Sequence, residues 1–69
     1  MKEINNDKLR ERLGLYHDKY PISYIRIGID MGLKPENARY VLSRFMRNMI
    51  ELNDETQSML DDYLSKRGY

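Results

Sequence analysis

Two prolines and one glycine divide this sequence into segments of helical length. Pro21 disfavours helical geometry at the residue before it, so a first helix over residues 6–19 ends there. Gly32 suits the position that follows a helix, because glycine adopts the left-handed conformation at little cost. Pro35 suits the first turn of the next helix. The chain is therefore organised as short helices joined by tight turns.

Apolar residues at helical spacing lead to the same conclusion. The clearest pattern is the apolar stripe of a third helix, made of Ala38, Val41, Leu42, Phe45, Met46 and Met49. The last helix has Asn53 or Asp54 at its start and Gly68 at its end. We therefore predict an all-α fold, a small four-helix domain with helices over residues 6–19, 23–31, 35–50 and 54–67.

The segment 22–31 has two interpretations. Its isoleucines alternate with other residues, which is typical of a β-strand. As a helix that begins at Ser23, the same segment has two apolar rows and would be buried on most sides. We favour the helix, because serine is a good N-cap and Gly32 follows at the right distance.

The chain is short and contains no cysteine. Its 69 residues allow one domain over residues 1–69, with a small core and marginal stability. Without cysteine there is no disulfide or thiolate metal site, and the single histidine, His17, makes a zinc or iron site improbable. We expect no metal and no cofactor. We also expect no enzyme, since no nucleophile–base set or phosphate-binding glycine loop is visible.

No apolar run approaches the roughly 20 residues that span a bilayer. Residues 1–6 also lack the apolar stretch of a signal peptide. These features predict a cytoplasmic protein that has no membrane partner.

The net charge of +1 conceals a strong asymmetry along the chain. Residues 21–50 carry five basic and two acidic side chains, whereas residues 51–69 carry two basic and five acidic ones. Such a chain can present a basic surface to a polyanion while its overall charge stays low.

The small and apolar residues from Ser23 onwards follow a specific frame. A very small residue, Gly28, would let the next helix cross closely, and Gly32 could take the positive φ of a tight turn. Leu33 would fill the corner, while Ala38 and Val41 would pack the third helix against the second. Two helices joined in this way form a helix-turn-helix candidate.

Through this frame, and through the string Ile22-Ser23-Tyr24-Ile25-Arg26-Ile27-Gly28-Ile29-Asp30-Met31-Gly32-Leu33-Lys34-Pro35, the sequence resembles helix-turn-helix regulators of the phage repressor and Cro type. The likeness covers about a third of the chain. It implies a small sequence-specific DNA-binding transcriptional regulator, a repressor in phage-like proteins of this kind, that binds double-stranded DNA. The recognition helix would be 35–47, with its N-terminal part in the major groove.

The resemblance also implies roles for individual residues. Asn37 would pair with an adenine edge, Arg39 with a guanine, and Glu36 would accept from cytosine or repel phosphate in the wrong register. Ser23 and Tyr24 would anchor the DNA backbone at the start of the preceding helix. The other expected phosphate contacts come from Lys34, Tyr40, Ser43, Arg44 and Arg47.

Such a regulator is expected to be a homodimer, because two modules related by a two-fold axis double the length of the site. The acidic last helix, with its stripe of methionine, tyrosine and leucine, is the first candidate for the dimer contact. Ile25 and Ile29 are apolar where such regulators are usually polar, which implies burial by the first or last helix or by a second subunit.

Two alternatives remain open. One is a helical protein-binding module, a small inhibitor or adaptor with a protein partner at its Met/Tyr surface or acidic end. The other is a ribbon-helix-helix dimer in which 24–31 is the DNA-reading strand and Arg26 is a reader.

Overall fold

The computed structural model describes residues 5–69, all of whose regular structure is helical. The helices are α1 (Asn6–Lys19), α2 (Tyr24–Met31), α3 (Pro35–Ala38), α4 (Val41–Met46) and α5 (Asp54–Lys66). The predicted all-α fold is confirmed. The expectation about a leader rests partly on residues 1–4, which lie outside the described residues. Within residues 5–69, no helix is long and apolar enough to cross a bilayer.

Side-chain caps explain where three of the helices begin. Asn5, Ser23 and Asn53 accept hydrogen bonds from the backbone N–H groups of Lys8 (2.8 Å), Arg26 (3.2 Å) and Thr56 (2.8 Å). Each bond satisfies one of the N–H groups that a helix start leaves unpaired. The helical interpretation of 22–31 is thus correct, and the strand of the ribbon-helix-helix alternative is wrong.

The predicted helix over 35–50 is not continuous. Tyr40, with φ −134° and ψ −22°, leaves the α region and separates α3 from α4. Helix α4 then ends at Met46, because Asn48 takes a left-handed conformation with φ 61°. The N–H groups of Asn48 and Met49 donate to the carbonyl oxygens of Phe45 (3.0 Å) and Arg44 (2.9 Å), which closes the helix in a Schellman motif. The four predicted helical units are present, but the third consists of two short helices.

One core runs through the helices. Its fully buried members include Leu9 and Leu13 of α1, Leu42 and Phe45 of α4, and Leu60 of α5. Fully burying a side chain of this size contributes about 1.5–3 kcal/mol. From α2 the core receives Ile27, whereas Ile25 and Ile29 lie outside it. The expectation that α2 is buried on most sides is therefore wrong.

The apolar face of α5 packs against other helices of the same chain. Leu60, Tyr63 and Leu64 are buried, and α5 packs against α1. The hydroxyl groups of Tyr16 and Tyr63 lie 3.3 Å apart within this contact. The stripe that we expected to form a dimer contact is thus occupied by the chain's own first helix.

Four hydrogen bonds fix the irregular segment between α4 and α5. Arg10 of α1 donates from Nε to the carbonyl oxygen of Phe45 (2.8 Å) and from a terminal nitrogen to that of Ile50 (3.0 Å). Its guanidinium also lies 4.5 Å from the centroid of the Phe45 ring. Leu52 donates its N–H to Asn6 (2.9 Å) and accepts from the Gln57 amide (3.0 Å). The end of α4 and the start of α5 are thereby held in position.

Candidate nucleic-acid interface

The junction between α2 and α3 is very close. A Cβ added to Gly28 would lie 2.9 Å from the Cβ of Ala38, so only glycine permits this approach without a shift. Gly32 has φ 111°, and the N–H of Leu33 donates to the carbonyl oxygen of Gly28 at 2.8 Å. The sequence-based expectations for Gly28 and Gly32 are confirmed, and Leu33 is half-buried in the corner.

Three of the predicted DNA-contact residues lie in or next to α3 and have exposed side chains. Lys34 precedes the helix, and its carbonyl oxygen accepts from the N–H groups of Asn37 (2.9 Å) and Ala38 (2.8 Å). Glu36 lies in the first turn, and Arg39 follows the last residue. Lys34, Glu36 and Arg39 are all accessible to a ligand.

Asn37, Tyr40 and Arg44 form a row across the interruption between α3 and α4. The Tyr40 hydroxyl donates to the side-chain oxygen of Asn37 at 3.4 Å. The guanidinium of Arg44 lies 4.8 Å from the centroid of the Tyr40 ring, a cation–π contact. The row therefore connects the expected base reader, Asn37, with an expected phosphate contact, Arg44. Spacings of three and four residues could have predicted this row from the sequence.

Asn37 is half-buried and also borders a groove. The walls of this groove come from α3, α4, the segment before α5 and the first turn of α5. Its lining residues are Leu33, Asn37, Val41, Ile50, Glu51, Leu52, Asn53 and Thr56. A carboxylate therefore lines the same groove as the amide, a feature that the sequence alone did not reveal.

Three further predicted DNA-contact residues lie on α4 or just after it. Ser43 is half-buried, Arg44 is exposed on the helix, and Arg47 is exposed just beyond its end. The predicted recognition helix over 35–47 is therefore wrong as one continuous rod. Arg39 precedes the interruption at Tyr40, whereas Arg44 and Arg47 follow it.

Ser23 and Tyr24 lie at the start of α2, apart from this row in sequence. The Ser23 hydroxyl accepts from the N–H of Arg26 and so acts as the helix cap. The Tyr24 ring stacks on His17 of α1, with 4.3 Å between centroids and 18° between planes. Burial, and secondarily the negative charge of Asp18, raise the pKa of Tyr24 above its usual value of 10.0. Tyr24 is thus a half-buried residue whose hydroxyl is protonated at neutral pH.

The arginines fall into two groups. The four that lie outside 34–47 are held by other groups of the chain. Arg10, Arg12 and Arg26 form ion pairs with Asp7, Asp61 and Asp30, and Arg67 lies over the Tyr63 ring and donates to the Tyr63 carbonyl oxygen. In the part of the chain that the structure describes, Arg39, Arg44 and Arg47 form no ion pair.

The acidic end of the chain does not neutralise these three arginines. Asp61 is paired with Arg12 of α1, and Asp62 is paired with Lys66 one turn further along α5 at 3.3 Å. Within residues 5–69, no carboxylate of this acidic end forms an ion pair with Arg39, Arg44 or Arg47, although Glu51 lines the groove beside Asn37.

Comparisons of the chain with protein-family models, with curated proteins and with solved structures find no match.

Proposed function

We propose that this protein is a small sequence-specific DNA-binding transcriptional regulator of the cytoplasm. In this proposal α2 and residues 34–47 form a helix-turn-helix unit that contacts the major groove, and two copies act as a homodimer. The observation that carries the proposal is the absence of any acidic partner, within residues 5–69, for Arg39, Arg44 and Arg47.

Phosphate is the ligand that best fits such arginines. The guanidinium group is always charged and matches phosphate oxygens with two parallel N–H donors. Several arginines on one small surface repel one another, and an approaching polyanion relieves that repulsion. DNA adds a further favourable term, because condensed counterions are released when cationic side chains contact phosphates.

The row of Asn37, Tyr40 and Arg44 supports base reading beside phosphate contact. Asparagine reads adenine when its oxygen accepts from the amino group and its amide N–H donates to the ring nitrogen. The hydrogen bond from Tyr40 restricts the rotation of the Asn37 amide, so that side chain is partly oriented before DNA arrives. Arg44, at the other end of the row, would contact a phosphate.

The division of the third helical unit changes how the surface would meet DNA. We assign base reading to residues around α3, namely Asn37 and Arg39, and phosphate contact to Arg44 and Arg47. Lys34 and Ser43 remain proposed phosphate contacts, as do Ser23 and Tyr24 at the start of α2, whereas Tyr40 orients the Asn37 amide through its hydroxyl. Glu36 would discriminate against incorrect registers.

The test begins with selection from a random duplex library, followed by fluorescence-polarisation titrations at several salt concentrations. Binding to the enriched duplex should weaken linearly with the logarithm of salt, by about 0.9 per phosphate contacted. Arg39→Ala and Asn37→Ala should each reduce discrimination by about 1–3 kcal/mol. Arg47→Ala should weaken binding to all duplexes and reduce the salt slope by about 1. Lys19→Ala, which removes one charge at the exposed end of α1, is the matched control and should leave binding nearly unchanged.

Failure to enrich any duplex, or affinity that is insensitive to salt, would contradict the proposal. A protein that co-purifies with the chain and tolerates both Arg39→Ala and Asn37→Ala would instead support the helical protein-binding module.

A further inference from the structure

The outer face of α2 carries an uncovered apolar row. Ile25 and Ile29 lie one turn apart, and each is 44% exposed. The opposite side of α2, with Ile27 and Gly28, faces the rest of the molecule. Ile25 and Ile29 belong neither to the buried core nor to the partly buried apolar side chains that pack against it, so much of this row is left to solvent.

A charged row runs directly beside the isoleucines. Arg26 and Asp30 also lie one turn apart, and their side chains form an ion pair of 3.2 Å with exposures of 70% and 33%. In an α-helix, residues four apart share a face, and this pair occupies the row next to that of the isoleucines. The surface of α2 therefore has an apolar row bordered on one side by one positive and one negative charge.

We infer that this face of α2 binds the same face of a second copy of the chain, with the two helices antiparallel about a two-fold axis. Ile25 then packs against Ile29 of the partner subunit, and the reverse contact follows from the symmetry. In an antiparallel pair related by a two-fold axis, the charged row of one helix lies beside the charged row of the other, and the two rows run in opposite directions. Arg26 therefore faces Asp30 of the partner subunit, and Asp30 faces the partner's Arg26.

A parallel pairing does not give this match. It would bring the charged row against the other flank of the partner helix, where Gly28 is already packed against Ala38. The charge complementarity of α2 with itself thus selects a second copy, in the antiparallel orientation, as the occupant. The inference deepens the proposed function by naming the dimer surface, and its test uses the protein without DNA so that either can fail alone.

The expected dimer is weak. Eight residues of helix extend only about 12 Å, so one face of α2 buries much less than the roughly 800 Å² per partner that is typical of stable complexes. Association should therefore depend on concentration and be measurable by sedimentation equilibrium at high protein concentration.

Charge reversal gives the sharpest experiment. Arg26→Asp makes the charged row wholly acidic, and Asp30→Arg makes it wholly basic. Each variant alone should dimerise roughly fivefold more weakly than the natural chain, since two attractive contacts become repulsive. An equimolar mixture should associate at least as well as the natural chain, because the acidic row of one variant meets the basic row of the other.

Both substitutions should preserve the fold, which circular dichroism would verify. A negative charge near the start of α2 and a positive charge near its end both suit the helix dipole. Ile29→Ser should weaken association at least tenfold without opening a core cavity, because its side chain is partly exposed. Leu15→Ser, at a position of α1 that is 58% exposed, is the control and should leave association unchanged.

Three results would overturn the inference. The natural chain could remain monomeric at millimolar concentration, or the mixture could associate no better than either variant alone. A loss of association in Leu15→Ser equal to that in Ile29→Ser would assign the contact to a different face.

Discussion

Gly28 lies so close to Ala38 that a Cβ on the glycine would be 2.9 Å from the Cβ and 3.2 Å from the Cα of the alanine. The second of these atoms belongs to the backbone and cannot move without shifting α3. This contact holds α3 against α2.

Gly28→Ala should destabilise the protein although alanine is the better helix former. The gain in helix propensity is about 1 kcal/mol, whereas forcing a methyl group into a packed contact costs typically 1–3 kcal/mol. We expect a net loss of up to about 2 kcal/mol in the free energy of unfolding, measured with urea. Gly14→Ala in α1 is the control, because its Cβ would lie 3.7 Å from the flexible end of Met46, and it should stabilise by about 0.5–1 kcal/mol. Equal stabilisation by both substitutions would contradict the close packing.

Arg10→Met should lower the free energy of unfolding by about 2 kcal/mol. Methionine keeps an apolar stem beside Phe45 but removes the charged donors to the carbonyl oxygens of Phe45 and Ile50. Lys8→Met, at an exposed position two residues after Asn6 in the first turn of α1, should change stability by no more than about 0.5 kcal/mol. If the two variants were equally stable, the hydrogen bonds of Arg10 would contribute nothing measurable.

Stability should fall as the solution is made strongly alkaline. Burial, together with the hydrogen bond to Tyr16, raises the pKa of Tyr63 from 10.0 to about 12. Below pH 10 the phenol is protonated in both folded and unfolded chains, so its contribution is fully present. Between about pH 10 and 12 the unfolded chain releases the proton more readily, and that contribution is lost.

Urea unfolding at a series of pH values, with tyrosinate absorbance measured in parallel, tests this prediction. The loss between pH 10 and 12 should be about 1–2 kcal/mol for the natural chain and smaller for Tyr63→Phe, which cannot ionise there. Identical slopes for the two proteins would show that Tyr63 does not retain its proton in the folded chain.

Tyr40→Phe should reduce base discrimination without weakening general DNA affinity. Phenylalanine keeps a ring beneath Arg44 and removes only the hydroxyl that donates to Asn37. We expect a two- to threefold loss in the affinity ratio between the selected duplex and a scrambled one, on the order of 0.5 kcal/mol. Tyr20→Phe, which removes another exposed hydroxyl, should leave the ratio unchanged. An effect of Tyr40→Phe on both duplexes equally would argue that the hydroxyl contacts phosphate instead.

Local signals made α1, α2 and α5 predictable from the sequence. Ser23 caps the start of α2, and Gly32, in a left-handed conformation, ends it. Such signals act over a few residues regardless of tertiary structure. The predicted start of α1 at residue 6 agrees with the structure, in which Asn5 is the N-cap although Asn6 and Asp7 are also residues that can cap.

The interruption at Tyr40 could not be predicted in the same way. The apolar stripe from Ala38 to Met49 fits one long helix, and no glycine or proline marks the break. The interruption accompanies contacts that are distant in sequence, since Ala38 packs on Gly28 while Leu42 and Phe45 enter the main core. Asn48 gave only a weak signal, because asparagine adopts left-handed geometry more often than most residues but far less often than glycine.

Of the candidate site, the sequence identified which residues are basic and polar, but not that Glu51 lines the groove beside Asn37. The exposure of Arg39 and Arg47 follows from their positions opposite the apolar stripe. The lack of an ion-pair partner for Arg39 and Arg47 within the described residues does not follow from the sequence, because it depends on which carboxylates the tertiary fold brings near them.

Because α3 is so short, the proposed DNA-contact surface around it depends on the packing of the rest of the protein. Four residues cannot persist as a helix alone in water, since nucleation is costly and little propagation follows. Helix α3 therefore exists only while α2 is formed beneath it. Under the proposed function, a substitution that loosens α2 would therefore weaken DNA binding through the loss of α3.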